Sequence, residues 1–248
     1  MPDVEGTMKH QKRTYREGLS TEGLVSFTVV VQETDLFISA SRPLEQEAKY
    51  AAGNARLIVE RYIKEHPDFL SSFTPLPFDD VAHPIIRNML SASSAARVGP
   101  MAAVAGAIAE YTGMELLHYA EEAIVENGGD IFLKVNREVI IGIFAGESSL
   151  SNCIGIKISS LKDPLGVCTS SGTVGPSVSF GTADAVTVVS VSASLADAVA
   201  TSVGNIIKDP SDIQKGIEFA QSIPKIDGIV IIKGDKMGVW GAIDLVSL

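Results

Sequence analysis

The sequence contains few cysteines, few histidines and no long uninterrupted apolar run. Its two cysteines, Cys153 and Cys168, fit no metal-binding spacing and predict no disulfide scaffold, so two buried thiols are the expectation. No apolar run reaches the roughly 20 residues that a membrane-spanning helix needs. The N-terminal sequence MPDVEGTMKHQKR lacks the apolar centre of a secretory signal. We therefore expect a cytoplasmic protein without a membrane partner.

Basic charge and aromatic side chains are also scarce. The net charge of −10 argues against a nucleic-acid partner, which requires clustered lysine and arginine. Aromatic residues make up only 6% of a chain that is 46% hydrophobic, so the core is expected to pack through small side chains and close backbone approach. The length of 248 residues suits one large domain. We predict a flexible tail over residues 1–12 and a single domain over 13–248.

The apolar pattern predicts strands and helices in alternating groups. A hairpin is expected over residues 24–38, a long helix over 44–65, and hairpins around Asn136-Arg137 and Gly234-Asp235. A buried helix is expected after Pro100 and another after Ser192 or Ser194. Because most consecutive strands are joined by tight turns, the fold class is predicted to be α+β with mainly antiparallel sheets.

One stretch, residues 168–205, combines a small-residue loop, a strand and a helix. Asp197 and Thr201 lie four residues apart on that helix and therefore share one face. A carboxylate and a hydroxyl beside glycine-rich backbone suit Mg²⁺, which prefers oxygen ligands. Two structural alternatives stay open: Thr201 bonds back to the carbonyl four residues earlier, or Asp197 only favours the positive start of its helix.

Three further segments supply candidate ligand-binding residues. Arg97 and Gly99 precede Pro100, where a cation and free backbone N–H groups would seat a phosphate; a packed glycine turn explains them equally well. Two other segments are glycine-containing turns; the first either is a structural hairpin or bulge turn or lies beside a bound ligand, and the backbone N–H groups of the second could cradle anionic oxygens. Their candidate residues are Gly128, Gly129 and Asp130 in the first turn, and Thr169, Ser170, Ser171 and Gly172 in the second. No phosphate-loop, dinucleotide-fold or serine-hydrolase motif surrounds them.

These segments together resemble the ApbE-type flavin transferase superfamily. The shared strings are Asn127-Gly128-Gly129-Asp130, the TSSG turn at 169–172, the ADAVAT segment at 196–201 and the RVGPMA segment at 97–102. The likeness is greatest to a short prokaryotic branch with no assigned activity. The resemblance implies tandem T-fold-like halves, FAD as substrate or ligand, and Mg²⁺-dependent transfer of FMN to a protein hydroxyl. It also implies that Asp197 and Thr201 are metal ligands.

The sequence departs from the transferases at one place. Their histidine-containing segment would fall between Gly175 and Asp184, and this interval has no histidine. Three hypotheses follow: a Mg²⁺-dependent enzyme that cleaves or transfers part of FAD or a related diphosphate, a non-catalytic flavin- or nucleotide-binding protein, and an assembly subunit. A small-molecule flavin or nucleotide is the expected partner under the first two, and the question of a homo-oligomer stays open.

Overall fold

The computed structural model describes residues 23–173 and 180–248. The predicted tail at 1–12 and positions 174 and 175 of the small-residue loop lie outside these described residues. Two antiparallel sheets are present, one of eight strands in the order β1-β2-β3-β4-β7-β8-β9-β10 and one of three in the order β11-β6-β5. The strands are β1 Val25–Val31, β2 Thr34–Ala40, β3 Ala123–Asn127, β4 Asp130–Lys134, β5 Val139–Gly142, β6 Ile154–Ile158, β7 Leu165–Ser170, β8 Ala185–Ser190, β9 Ile226–Lys233, β10 Lys236–Gly241 and β11 Asp244–Ser247.

Several helices begin at capping side chains or proline. The His83 ring accepts a hydrogen bond from the Ile85 N–H at the start of α3, and Asp209 forms a capping box with Asp212 before α6. Pro100 opens a short 3₁₀ turn, Pro100–Ala103, that leads directly into α4. The helices are α1 Glu45–Glu65, α2 Asp68–Ser71, α3 Pro84–Ala96, α4 Val104–Leu116, α5 Ala193–Ile206 and α6 Ile213–Gln221.

Two apolar cores lie on opposite faces of the large sheet. Val125 and Val188 point towards the helices and belong to the first core. Ile124 and Val189, their neighbours in the chain, belong to the second core, which the three-stranded sheet covers. Because both faces are covered, β8 is buried along its whole length and its sequence AVTVVS does not alternate strictly. The predicted α+β class with mainly antiparallel sheets is confirmed.

The hairpin predicted at Asn136-Arg137 is wrong. β4 pairs with β3 and β7 in the large sheet, whereas β5 pairs with β6 in the small one, so this turn joins two sheets. Buried Glu122 explains the change of direction. Its Oε1 accepts the Asn136 N–H at 2.8 Å, and its Oε2 lies 2.6 Å from the Arg137 guanidinium. Hydrogen bonds to a turn from outside it are not encoded by local turn chemistry.

The other predicted hairpins are confirmed. β1 and β2 pair across a two-residue turn, and β9 and β10 pair around Gly234, which has a left-handed φ of 64°. Over the described residues, no helix is both long and apolar enough to span a bilayer.

Candidate functional site

The first glycine turn, the start of α4 and the middle of α5 meet at one end of the large sheet. Gly128 and Gly129 form the two-residue turn between β3 and β4, with φ of 68° and 108°, a region that favours glycine. Asn127 precedes the turn and donates its side-chain N–H to the Ala105 carbonyl in α4 at 3.0 Å. Asp130 follows the turn and is only 8% exposed. The predicted turn at Gly128 and Gly129 and the predicted buried helix after Pro100 are therefore brought together.

Asp197 lies in the second turn of α5 and is also 8% exposed. Its Oδ2 accepts the Gly106 N–H in the first turn of α4 at 2.9 Å. The residue before α4, Ala103, has no side chain that can cap the helix, so a carboxylate from a neighbouring helix supplies the acceptor. The structural role of Asp197 thus lies at the start of α4, not at the start of its own helix.

Glu110 performs the reverse role for α5. Its Oε2 accepts hydrogen bonds from the Ser192 hydroxyl at 2.8 Å, the Ser194 N–H at 2.9 Å and the Ser194 hydroxyl at 3.0 Å. The two helices, which run antiparallel here, therefore cap each other's N-termini with carboxylates. This arrangement fixes the position of α5 and, with it, the position of Asp197.

The acid cluster comprises Asp130, Asp197 and the thiol of Cys168. Burial, followed by the nearby charge of Asp197, raises the pKa of Asp130 well above its usual range. Burial raises the pKa of Asp197 to about 7, against the opposing effect of its bonds from the Gly106 and Ala105 N–H groups. Burial, followed by the nearby charges of Asp130 and Asp197, raises the pKa of Cys168. The Cys168 sulfur lies 3.3 Å from the Ala193 carbonyl oxygen. Cys168 is thus a buried, unreactive thiol, as predicted, whereas Cys153 is exposed, so the prediction of a second buried thiol is wrong.

Thr201 lies one turn beyond Asp197 and is partly exposed. Within the described part of the chain its hydroxyl makes no hydrogen bond, so the predicted alternative of a bond back to the Asp197 carbonyl is not seen. Gly204 and Asn205 continue the same helical face. The face therefore runs from a buried carboxylate to a partly exposed hydroxyl and then towards the end of the helix.

The second predicted turn is partly a strand. Thr169 and Ser170 belong to β7, where the Thr169 hydroxyl lies 2.9 Å from that of Thr187, on the sheet face away from the helices. Ser170 is on the helix side, beside Gly204. Strand pairing with β8 explains why this small-residue sequence is not a loop.

Several backbone N–H groups of the two predicted turns have protein partners. The Thr169 N–H donates to the Gly129 carbonyl, the Gly172 N–H to the Ala183 carbonyl, and the Gly129 N–H to the Glu126 carboxylate. Ser171 orders the end of the turn, because its hydroxyl accepts the Thr173 N–H at 3.1 Å. Because these N–H groups already donate to protein acceptors, a ligand at this turn would have to bind through side chains.

Arg97 and Gly99 lie between the end of α3 and the 3₁₀ turn at Pro100–Ala103. Arg97 ends α3 in a left-handed conformation, and its guanidinium lies 5.6 Å from the centre of the Phe219 ring. A side-chain carbon at Gly99 would lie 1.8 Å from the Ser72 carbonyl oxygen, so only glycine fits there. The packed glycine turn accounts for both observations, and the phosphate seat stays a prediction.

A cavity of about 420 Å³ lies at the opposite end of β4 from Asp130 and does not coincide with the acid cluster. It is lined by Leu117, Ala120, Glu121, Lys134, Asn136 and Pro164. The candidate site is therefore defined by its acidic and hydroxyl groups, not by this cavity.

The donor set of the site fits a hard cation. Asp130, Asp197 and Thr201 offer oxygen atoms only, and oxygen is the ligand type that Mg²⁺ prefers. Among the described residues no group of three or more His, Cys, Asp or Glu is arranged to hold a metal. A cation here would keep several water or ligand oxygens, as Mg²⁺ does when one or two carboxylates and a phosphate bind it.

Two residues of the site escaped prediction. Glu110 lies within an apolar helical pattern, and its only signal is a lone charge in the predicted buried helix that faces the serines at the start of α5. Asn127 is predicted only as part of a turn, although an amide before two glycines can also bind a neighbouring helix.

The fold has known counterparts among solved structures. It is similar to the apo flavinyl transferase ApbE of Pseudomonas stutzeri, with a TM-score of 0.55 at 12% identity, covering 88% of this chain and 94% of the other. It is also similar to the ApbE protein of Thermotoga maritima, with a TM-score of 0.52 at 13% identity, covering 87% and 96%. The architecture is thus that of the ApbE proteins.

Sequence comparison defines the family more closely. The family described as AbpE bacteria matches residues 16–223. A UPF0280 protein of Methanococcus maripaludis is 43% identical over 221 residues, covering 87% of this chain and 90% of the relative. One from Methanocaldococcus jannaschii is 42% identical over 221 residues, with the same coverage. The chain belongs to the UPF0280 proteins, an ApbE-like family, as the resemblance predicted.

Proposed function

We propose that this protein is a Mg²⁺-dependent enzyme that cleaves, or transfers part of, FAD or a related dinucleotide diphosphate. The observation that carries the proposal is the pair of buried carboxylates, Asp130 and Asp197, which lie close enough for the charge of Asp197 to raise the pKa of Asp130. Within the described residues no lysine or arginine forms an ion pair with either. Two buried acids without a basic partner are costly unless a cation or protons neutralise them.

The identity of the ligand is supported by the fold. The two similar structures described above, from Pseudomonas stutzeri and Thermotoga maritima, are ApbE proteins, and the first is named a flavinyl transferase. At 12% and 13% identity the likeness supports the choice of a flavin dinucleotide as the first substrate to test. The resemblance of the ADAVAT segment, which contains Asp197 and Thr201, to the metal-binding segment of the transferases adds support.

The site residues have distinct roles in this proposal. Asp197 would bind the cation through the oxygen that does not accept the Gly106 N–H, Thr201 would add its hydroxyl, and Asp130 would add a second carboxylate. When bound, Mg²⁺ neutralises the charge that develops on phosphate oxygens as the P–O–P link breaks. In hydrolysis, water oxygen bonds to one phosphorus and the bridging oxygen leaves on the other, giving FMN and AMP. In transfer, an acceptor hydroxyl replaces the water.

The test is incubation of the purified protein with FAD and MgCl₂, followed by separation of FMN and AMP. Thr201→Val keeps the side-chain shape and removes only the hydroxyl, so we expect a loss of about 10- to 100-fold in rate without loss of fold. Asp197→Asn should lose more. Asp235→Asn, at an exposed position, is the matched control. No product from the wild type, or equal rates from wild type and Thr201→Val, would overturn the proposal.

A second candidate is a binding protein that retains the site without catalysis. The interval from Gly175 to Asp184, which lacks the histidine of the transferases, favours it. Tight FAD binding with no FMN or AMP formed over many hours would replace the first proposal by this one.

A further inference from the structure

Strand β10 is the last strand of the large sheet and leaves one edge of that sheet open. It pairs with β9 on one side, and within the described residues no strand pairs with its other side. Most of β10 is exposed, including Met237 and Val239 at 41% and 39%. The strand has one charged residue, Lys236 at its first position, and no proline. An edge strand that charge or proline does not block is a template for another strand.

The pairing with β9 determines which backbone groups of β10 face outward. The Ala242 N–H donates to the Asp227 carbonyl at 2.9 Å, and these two residues continue the β9–β10 register by one position. Hydrogen-bonded and non-hydrogen-bonded positions alternate in an antiparallel pair. Met237 and Val239 are therefore at positions whose N–H and C=O groups point away from β9. Within the described part of the chain these backbone groups have no protein partner.

The side chains of β10 are complementary in size to a second copy of the same strand in the antiparallel direction. If Val239 lies opposite Val239 of the other copy, Trp240 lies opposite Gly238 and Met237 lies opposite Gly241. Each large side chain then meets a glycine, so no two large side chains compete for the same space at the junction. Centring the pair on Gly238 or on Trp240 would instead place two glycines or two indole rings opposite each other.

The same register gives a carboxylate without a basic partner a lysine neighbour. Asp227 of β9 is partly buried, and within the described residues its side chain forms no hydrogen bond or ion pair. Burial raises the pKa of Asp227. With Val239 opposite Val239, Lys236 lies opposite Ala242 of the other copy, and the Asp227 of that copy is next to this small alanine. In the single chain Lys236 pairs only with the adjacent Asp235 at 3.1 Å, an exposed pair of little strength.

We propose that β10 is an interaction surface for a second copy of this chain, and that two copies pair antiparallel about a twofold axis at Val239. A second copy fits better than an unrelated strand, because the side-chain sizes and charges of β10 complement those of the same strand reversed. The two large sheets then form one continuous sheet. One strand from each copy is a small interface, so we expect a dissociation constant in roughly the micromolar range. The dimer does not depend on the proposed flavin chemistry.

The experiment is sedimentation equilibrium of the full chain over a range of concentrations. Val239→Lys places two ammonium groups opposite each other and should weaken the dimer by about tenfold or more. Val239→Glu should do the same, and mixing the two variants should restore a dimer with one copy of each, a result that misfolding cannot give. Val30→Lys is the matched control, because Val30 is 57% exposed on β1, the other edge strand of the large sheet. It should leave the dimer unchanged.

A cross-link tests the register independently. In a Cys153→Ser background, which removes the exposed native thiol, Val239→Cys should form a disulfide-linked dimer on mild oxidation, whereas Val30→Cys should not. Opposite residues of a hydrogen-bonded antiparallel pair have Cα atoms about 5.5 Å apart, which a disulfide can span. If a charge variant does not fold, this cross-link decides, and its absence overturns the proposal.

Three other results would also overturn the proposed dimer. The first is a wild-type chain that stays monomeric at every concentration up to about the millimolar range. The second is a dimer that persists unchanged in Val239→Lys or dissociates in Val30→Lys, the latter assigning the contact to β1. The third is a failure of the folded Val239→Lys and Val239→Glu variants to pair when mixed.

Discussion

At the scale of single residues, Asp197 combines a structural and a proposed functional role. Its carboxylate caps α4 through the Gly106 N–H, and it lies in the same buried cluster as Asp130. A carboxylate has two oxygens and about four acceptor positions, so the bonds from the Gly106 and Ala105 N–H groups leave capacity for a cation. The structural role does not compete with the proposed one, but it means that changes at this residue affect stability as well as activity.

The raised pKa of Asp197 predicts a pH-dependent stability in the absence of divalent cations. Its pKa is about 7 in the folded protein and near 3.9 in an unfolded chain, so the folded state binds the proton more tightly. The free energy of unfolding should therefore fall as pH rises from about 4 to about 7, by at most about 4 kcal/mol from this group. Asp197→Asn should flatten that slope in urea titrations with EDTA present.

The control for this prediction is Asp235→Asn, whose carboxylate is exposed and should leave the slope unchanged. If the free energy of unfolding depends on pH in the same way in the wild type and in Asp197→Asn, burial does not raise the pKa of Asp197.

Gly106 marks the closest approach of α4 and α5. A side-chain carbon there would lie 2.3 Å from the Ala193 carbonyl oxygen and 2.8 Å from Asp197 Cβ. Gly106→Ala gains helix propensity but forces two backbones apart, and we expect a net loss of about 1–3 kcal/mol in denaturant unfolding. Gly53→Ala in α1 meets no atom within 4 Å, so it should stabilise by about 0.5–1 kcal/mol. Equal stabilisation by both would contradict the close packing.

At the scale of elements, α4 and α5 stabilise each other by exchanging carboxylate caps. Glu110 accepts three hydrogen bonds at the start of α5, two of them from Ser194. Glu110→Gln removes the charge that favours the positive helix start, and we expect a loss of about 1–2 kcal/mol by thermal or urea unfolding. Glu115→Gln in the same helix should change stability by less than about 0.5 kcal/mol, since no such cap depends on it.

A second readout distinguishes this cap from a general surface charge. If Glu110 positions α5, Glu110→Gln should also weaken FAD binding, whereas Glu115→Gln should not. Similar stability losses in both variants would instead indicate that α4 simply tolerates little change.

Local sequence predicts elements well where their boundaries depend on nearby residues. Helix α1, the β1–β2 and β9–β10 hairpins and the Asp209 cap follow from periodicity, turn residues and capping residues within a few positions. The turn at Asn136-Arg137 does not, because its direction depends on Glu122, 14 and 15 residues away. β7 also escaped prediction, since Gly166 and its small neighbours form a strand only against partners from β4 and β8.

The candidate site follows the same division. The spacing of Asp197 and Thr201 on one helical face is local and was predicted from the sequence. Their approach to Asp130 is set by a contact between residues 67 or more positions apart, which no local pattern encodes.

At the scale of the whole molecule, the large sheet lies between two apolar cores, and the candidate site is at one end of it. Strands β3, β4 and β7 contribute residues to both cores, so a change in their pairing alters both. The net charge of −10, which already includes Asp130 and Asp197, adds to the cost of keeping both carboxylates ionised in the interior. A cation at the site would therefore relieve repulsion locally and across the molecule, and its binding should be visible as stability.

We expect MgCl₂ to raise the melting temperature of the whole protein, because a ligand that binds only the folded state stabilises it by RT ln(1 + [L]/Kd). The shift should be larger at pH 8 than at pH 6, since the carboxylate of Asp197, with its pKa of about 7, must lose its proton to bind metal. NaCl at matched ionic strength is the reference, because screening alone stabilises an acidic protein. Thr201→Val should reduce the Mg²⁺-specific shift and leave the NaCl effect unchanged. If MgCl₂ and NaCl raise the melting temperature equally at both pH values, no Mg²⁺ binds at the site. Protons alone would then neutralise the buried carboxylates.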